Sequence, residues 1–160
     1  MAGMLAADPH LPLCRHRLRK GDVPLLNLRQ VNFLRGGWRA VTLKFGTSGL
    51  RGLVNELQGS PAFTYTLAFV RMLMGRGALH EGSRVYVGGD LRASSPDIAQ
   101  LVHAVIAEAG LVPVDRGALP TPALALHANS KSAPAIIVTG SHLSEDRNGL
   151  RFYRAQILEG

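Results

Sequence analysis

From Val41 to Tyr153, short runs of strand-forming residues alternate with amphipathic stretches of helical period, and this alternation limits the fold more than any other feature. Val41-Thr42-Leu43-Lys44-Phe45 reads as a strand that stops at Gly46. Pro61 opens a helix with Ser60 as candidate cap; Phe63, Leu67, Val70 and Met74 form its apolar stripe, and Met72 is read with them as core. Arg84 to Val87 is the next strand, ended by Gly88-Gly89-Asp90. Ser95 and Pro96 then serve as N-cap and first residue of a second helix, with Ile98, Leu101, Val102, Val105, Ile106 and Ala109 on one face and Gly110 as its stop. His103 borders that face, where a packed histidine is the ordinary reading. Leu111 to Val114 is a strand, Pro120-Thr121-Pro122 turns into a short helix through Leu124 and His127, and Ala135 to Val138 is a strand again. Such an order points to an α/β layered domain with a substantially parallel sheet. Ligands in these folds sit at the ends of the strands.

The first forty residues read differently. They carry seven basic side chains against Asp8 and Asp22, so five of the seven excess positive charges of the 160-residue chain fall there. Pro9, Pro12 and Pro24 interrupt them, and neither the strand nor the helix period persists. The expectation is a poorly ordered basic extension over 1–40, followed by one folded domain over 41–160, with Trp38 marking where packing begins. In a chain with 46% hydrophobic and 18% charged residues overall, that remainder can bury a core. It is nearly neutral and has no basic stripe with interleaved aromatics, which argues against a nucleic-acid partner. No apolar run reaches the length of a membrane span. The single cysteine, Cys14, excludes an internal disulfide and fits a reducing cytoplasm.

Three loops follow strands, over 46–52, 88–95 and 139–149, and all hold Ser, Thr, Gly or Arg. Gly46-Thr47-Ser48-Gly49-Leu50-Arg51-Gly52 combines glycines, two hydroxyls and a guanidinium, which suits an anion such as phosphate. A glycine-rich turn with a solvated Arg51 explains the same residues equally well. Ser141-His142, in the loop from Thr139, is either a hydrophilic connection or chemistry.

These residues also carry a resemblance. Phe45 to Gly52, Asp90-Leu91-Arg92-Ala93-Ser94-Ser95-Pro96, Leu119-Pro120-Thr121-Pro122, and Thr139-Gly140-Ser141-His142 with Asn148-Gly149 downstream resemble, in order, four motifs of the α-D-phosphohexomutases, the phosphomannomutase and phosphoglucomutase family. The resemblance covers roughly residues 42–155 and implies the family's first domain, a three-layer αβα fold. It further implies that Ser141 carries a phosphoryl group between turnovers, exchanging it with a hexose phosphate substrate through a glucose 1,6-bisphosphate-type intermediate. His142 is then placed near the reacting oxygens, Thr47, Ser48 and Arg51 at phosphate, and Mg²⁺ on an oxygen of the phosphoserine. Arg151 stands where the family usually has a lysine that serves acid/base chemistry, and arginine does not readily release a proton. Leu143-Ser144 replaces the commoner Asn-Pro after Ser-His, and Gly89 stands where Arg is common. The family's Asp-rich metal loop, sugar-recognition loop and substrate-phosphate site belong to further domains not found in these residues. The expectation is therefore the first domain of a phosphohexomutase, inactive alone; a non-catalytic sugar-phosphate-binding module or a truncated gene product is the alternative.

Overall fold

The computed structural model describes residues 43–47 and 49–155. The expected extension over 1–40 and the first residues of the expected 41–45 strand lie outside them. Among the described residues, six strands and four helices follow one another as β1 (Lys44–Gly46), β2 (Gly49–Leu53), α1 (Val54–Leu57), α2 (Ser60–Gly75), β3 (Arg84–Gly89), α3 (Ser95–Glu108), β4 (Val112–Ala118), α4 (Thr121–Ser130), β5 (Ala135–Val138) and β6 (Arg147–Tyr153).

The strands form one sheet in the order β1-β2-β6-β5-β3-β4. β3 pairs parallel with β4 and β5, whereas β5–β6, β6–β2 and β2–β1 are antiparallel. The sheet is thus mixed, with its parallel part confined to β4, β3 and β5. All four residues of β5 are buried, which explains its unbroken Ala-Ile-Ile-Val run: a strand covered on both faces has no polar side to alternate with.

The two faces carry separate cores. Val85, Val87, Ile136, Val138, Leu50 and Leu150 pack with α2 and α3 residues such as Val70, Leu73, Ile98, Val102 and Ile106. Tyr86, Ala135 and Ile137 turn the other way, onto Leu124 and Ala128 of α4. Helices therefore lie on both faces, in three αβα layers. Each core aliphatic contributes about 1.5–3 kcal/mol relative to exposure.

Several expectations need correction. In α2 the buried residues are Ala62, Thr66, Phe69, Val70 and Leu73, a partial rotation from the expected stripe: Val70 is shared, Leu67 and Met74 pack partly buried against the same core, and Met72 is exposed. The rotation lets Phe69 meet Phe152 of β6 at 5.1 Å between ring centroids. Ser60 is the first residue of α2 rather than its cap, and Gly59 precedes it at φ 95°. Ser95 is likewise inside α3, and its hydroxyl makes no cap bond. It donates instead to the Asp90 carboxylate at 2.5 Å, a charge-assisted hydrogen bond. The 46–52 stretch is not one loop: it holds the end of β1 at Gly46, a turn at Thr47 and, from Gly49, strand β2. The 139–149 stretch is a loop only to Asp146, since β6 starts at Arg147.

Candidate active site

The parallel pair β3–β5 ends with Gly89 level with Val138, and the Asp90 N–H extends the ladder by donating to the Val138 carbonyl at 3.0 Å. Two chain segments therefore leave the sheet side by side: Asp90 to Ser94 ahead of α3, and Thr139 to Asp146 ahead of β6.

Asp90 joins them. Its Oδ1 accepts from the Arg92 N–H at 3.2 Å and from Ser95 Oγ, while Oδ2 accepts the Gly140 N–H at 2.9 Å. Burial pushes the Asp90 carboxyl up, but hydrogen bonds from the Ser95 hydroxyl, the Gly140 and Arg92 N–H groups and the Thr139 hydroxyl outweigh it, and the group lies below its ordinary 3.8. Behind it, the fully buried Asn148 donates from Nδ2 to Ser94 Oγ at 2.9 Å and Ser95 Oγ at 3.0 Å and accepts the Gly149 N–H at 2.8 Å. The start of β6, the start of α3 and the end of β3 are thereby tied through one satisfied polar network.

The Arg92 guanidinium spans the serine loop. Nη1 donates to the Ser144 carbonyl at 2.7 Å and the Arg147 carbonyl at 3.2 Å. Nη2 donates to the Ser141 carbonyl at 3.2 Å and to the Leu143 carbonyl. Its Nε pairs with Asp90 Oδ2 at 3.5 Å.

Ser141 sits at the exposed start of this loop with φ 50°, a left-handed conformation that non-glycine residues adopt at a cost. Its N–H donates to Thr139 Oγ1 at 3.1 Å, and its Oγ lies 3.4 Å from His142 Nδ1. The structure thus brings Ser141 and His142 together and leaves both open to solvent.

Arg51 and Arg151 share the opposite sheet face from the buried Leu50 and Leu150, because side chains alternate along β2 and β6. Arg51 faces Gly149 across the pair, and its Cγ would lie 3.2 Å from a β-carbon there, so its stem crosses β6 where no side chain obstructs it. The Gly149 carbonyl in turn accepts the Thr139 N–H at 2.9 Å, which sets Arg51 at the serine-loop end of the sheet. Among the described residues, neither the Arg51 nor the Arg151 guanidinium has a hydrogen-bonding or ion-pair partner. Thr47 is exposed in the turn at the start of β2, and β2 runs away from that turn toward the serine loop, so the register does not bring Thr47 to Ser141. Ser48 lies outside the described residues.

Asp90, Arg92, Ser95 and Asn148 were not among the site residues read from sequence. The trace they leave in the sequence is their place in the motifs Asp90 to Pro96 and Asn148-Gly149.

The αβα domain thus presents a strained, exposed serine just past its central strand β5, and carries Arg51 and Arg151 on one face of the same sheet. Residues 42–158 match the family "Phosphoglucomutase/phosphomannomutase, alpha/beta/alpha domain I". The chain belongs to this family, and the matched part is its domain I. It is 54% identical over 110 residues to a phosphomannomutase of Sinorhizobium fredii, covering 69% of this chain and 23% of that protein. A phosphoglucosamine mutase of Erwinia tasmaniensis is 34% identical over 115 residues, covering 70% of this chain and 25% of the other. A phosphoglucomutase/phosphomannomutase family protein of Burkholderia thailandensis superposes with a TM-score of 0.54 at 27% identity, over 66% of this chain and 24% of its own. The chain thus spans about a quarter of the length of such relatives.

Proposed function

We propose that this domain carries the phosphoserine loop of a phosphohexomutase, with Ser141 as the residue that holds the phosphoryl group and hexose phosphates as substrates. The observation that carries the reading is Ser141 itself: exposed, held at φ 50° at the end of β5, with His142 Nδ1 3.4 Å from its Oγ, in a member of this family.

A serine hydroxyl is a weak nucleophile and its phosphate a poor leaving group unless charge is neutralised around it, and phosphoryl transfer depends chiefly on positioning and electrostatics. In the forward step a sugar hydroxyl oxygen bonds to phosphorus as the P–Oγ bond of phosphoserine breaks. The sugar hydroxyl loses its proton and Ser141 Oγ gains one. His142 stands close enough to supply or accept it, while Arg51 and Arg151 neutralise phosphate charge. The reverse step from the bisphosphate, after the sugar turns, restores the phosphoserine and releases the isomer.

Magnesium would meet an oxygen of the phosphoserine. The described residues contain no group of three or more His, Cys, Asp or Glu fit to hold a metal, so they do not by themselves form the multi-oxygen cage this cation takes. No step above runs through it. The reading includes a cytoplasmic setting, supported by the single cysteine. Among the described residues no helix is long and apolar enough to cross a membrane.

The test is to incubate the chain with glucose 1,6-bisphosphate and Mg²⁺, adding the remaining domains of a relative in trans, and to map phosphate by peptide mass spectrometry. Phosphate on Ser141 is expected. Phosphate on Ser48 or Ser95 instead would overturn the assignment.

A further inference from the structure

We propose that Arg92 is a positioning residue for Ser141: its guanidinium shapes the serine loop by gathering the loop's carbonyl oxygens beneath it. The significance for phosphoryl transfer rests on the function proposed above, but the shaping itself does not.

The four carbonyls that Arg92 engages belong to Ser141, Leu143, Ser144 and Arg147, which together span the loop and its junction with β6. One planar group with donors in a fixed fork reaches four acceptors that a point charge on a flexible stem would not satisfy together. Asp90 fixes the fork from behind through Nε and also holds the Gly140 N–H, so one carboxylate sets both the clamp and the residue that precedes Ser141.

The electrical consequence follows from the direction of the dipoles. A loop that bears a phosphoryl group of nearly two negative charges is poorly served by carbonyl oxygens turned toward it. Here those oxygens face a cation. The N–H groups of His142 and Glu145 donate to no described residue and remain available to an anion. Loops with free N–H groups of this kind favour negative charge. Arg92 does not touch the transferred group; it acts through the backbone of Ser141.

The experiment uses the whole 160-residue chain. Hydrogen exchange is followed by mass spectrometry in peptides covering 139–147, where the Gly140, Ser141, Leu143 and Arg147 N–H groups are hydrogen-bonded, and in peptides covering β3 and β5. In Arg92→Ala, exchange over 139–147 should rise by about tenfold or more, as expected when hydrogen bonds to a charged group are lost, with far smaller change in β3 and β5. Arg92→Lys should stay close to the Ala variant, because it restores charge without the fork. Guanidinium ion added at non-denaturing concentration should slow exchange in Arg92→Ala, and ammonium should not. Unchanged loop exchange in Arg92→Ala, full protection in Arg92→Lys, or equal rescue by ammonium would each overturn the proposal. If Arg92→Ala loosens β3 and β5 as much as the loop, Arg92 is a general stabiliser and the proposal fails. A second arm measures Ser141 phosphorylation as for the function above. Absence of phosphate on the unaltered chain counts against that function and leaves the exchange result to decide the clamp. Phosphate on the unaltered chain that forms equally fast in Arg92→Ala removes the positioning role.

Discussion

A β-carbon on Gly140 would lie 2.3 Å from Arg92 Nε and 2.5 Å from its Cζ, so the absence of a side chain at position 140 is what lets the guanidinium lie against the serine loop. The Gly140 N–H is at the same time held by Asp90 Oδ2 at 2.9 Å, and the backbone is not free to retreat. Gly140→Ala must therefore displace Arg92. The expected cost is about 1–3 kcal/mol, the range for forcing atoms into a packed site. Urea unfolding of Gly140→Ala, Arg92→Ala and the double variant checks it. The two changes should be strongly non-additive, since alanine at 140 has little left to displace once the guanidinium is gone. Simple additivity would count against the contact.

Asn148 is fully buried and uses its amide on three partners: Ser94 Oγ, Ser95 Oγ and the Gly149 N–H. Asn148→Ala leaves the Gly149 N–H without its acceptor at 0% exposure of the parent side chain, and it should destabilise the domain by about 1–3 kcal/mol. Asn148→Asp should be worse at neutral pH, because the new carboxylate would be buried next to the hydroxyl that already donates to Asp90. Thermal melts of both variants near neutral pH test the order. Asn148→Asp equal to the unaltered chain would mean that the network tolerates a second charge.

Element type was legible wherever a long apolar period met a Pro or Gly boundary, as in α3 from Pro96 to Gly110 and in the all-apolar β5. The phase of α2 was not, because Phe63, Leu67, Val70 and Met74 keep a helical period as well as the true stripe does, and only the meeting of Phe69 with Phe152 decides between them. The 46–52 stretch was misread as a loop because its glycines look like turn residues. Gly49 in fact lies close against the Leu150 carbonyl of β6, and Gly52 lies against Leu43. Ser141, His142, Arg51 and Arg151 stood out through motif resemblance. Asp90, Arg92 and Asn148 stood within the same motifs, but their joining into one network was not legible, because each pairs with groups about fifty residues away in the chain, which no local pattern records.

The depressed Asp90 carboxyl sets a direction for acid sensitivity. A carboxylate whose folded value lies below its ordinary 3.8 stabilises the fold fully above that value, and the contribution is lost as pH falls through the depressed one. The Asp90→Asn variant should therefore be less stable than the unaltered chain at neutral pH, and the gap between their melting temperatures should close as the pH is lowered below 3.8. A gap that stays constant down to the lowest pH at which both chains fold would show that the charge of Asp90 is not what the site uses.

Ser141 at φ 50° pays for its exposure in backbone strain. Glycine adopts that region freely, so Ser141→Gly should raise stability by about 0.5–1 kcal/mol, while Ser141→Ala should change it little. Neither variant should accept phosphate at position 141. Chemical unfolding and phosphopeptide mapping on the same preparations check both statements. A Ser141→Gly chain less stable than the unaltered one would mean that the hydroxyl, through its contact with His142 Nδ1, outweighs the strain.

The last expectation concerns turnover. Hexose phosphate has to be held while its hydroxyl meets the phosphoryl group in line, and small errors of position are costly. This chain offers the serine, His142 at 3.4 Å from it, and the guanidiniums of Arg51 and Arg151 on one sheet face. Among the described residues it offers no group of three metal-ligating side chains. Arginine does not readily release a proton, so at position 151 it suits neutralising phosphate rather than relaying a proton. The 160-residue chain by itself should therefore not interconvert glucose 1-phosphate or mannose 1-phosphate with the 6-phosphates above the Ser141→Ala blank in a coupled assay. Adding the other domains of a phosphomannomutase relative should produce turnover if they dock, and Arg151→Lys should then raise kcat more than it changes KM. Turnover by the chain alone would place the missing groups within it or in a second copy of it. Sedimentation of the active sample would separate those two sources, because only the second requires a dimer.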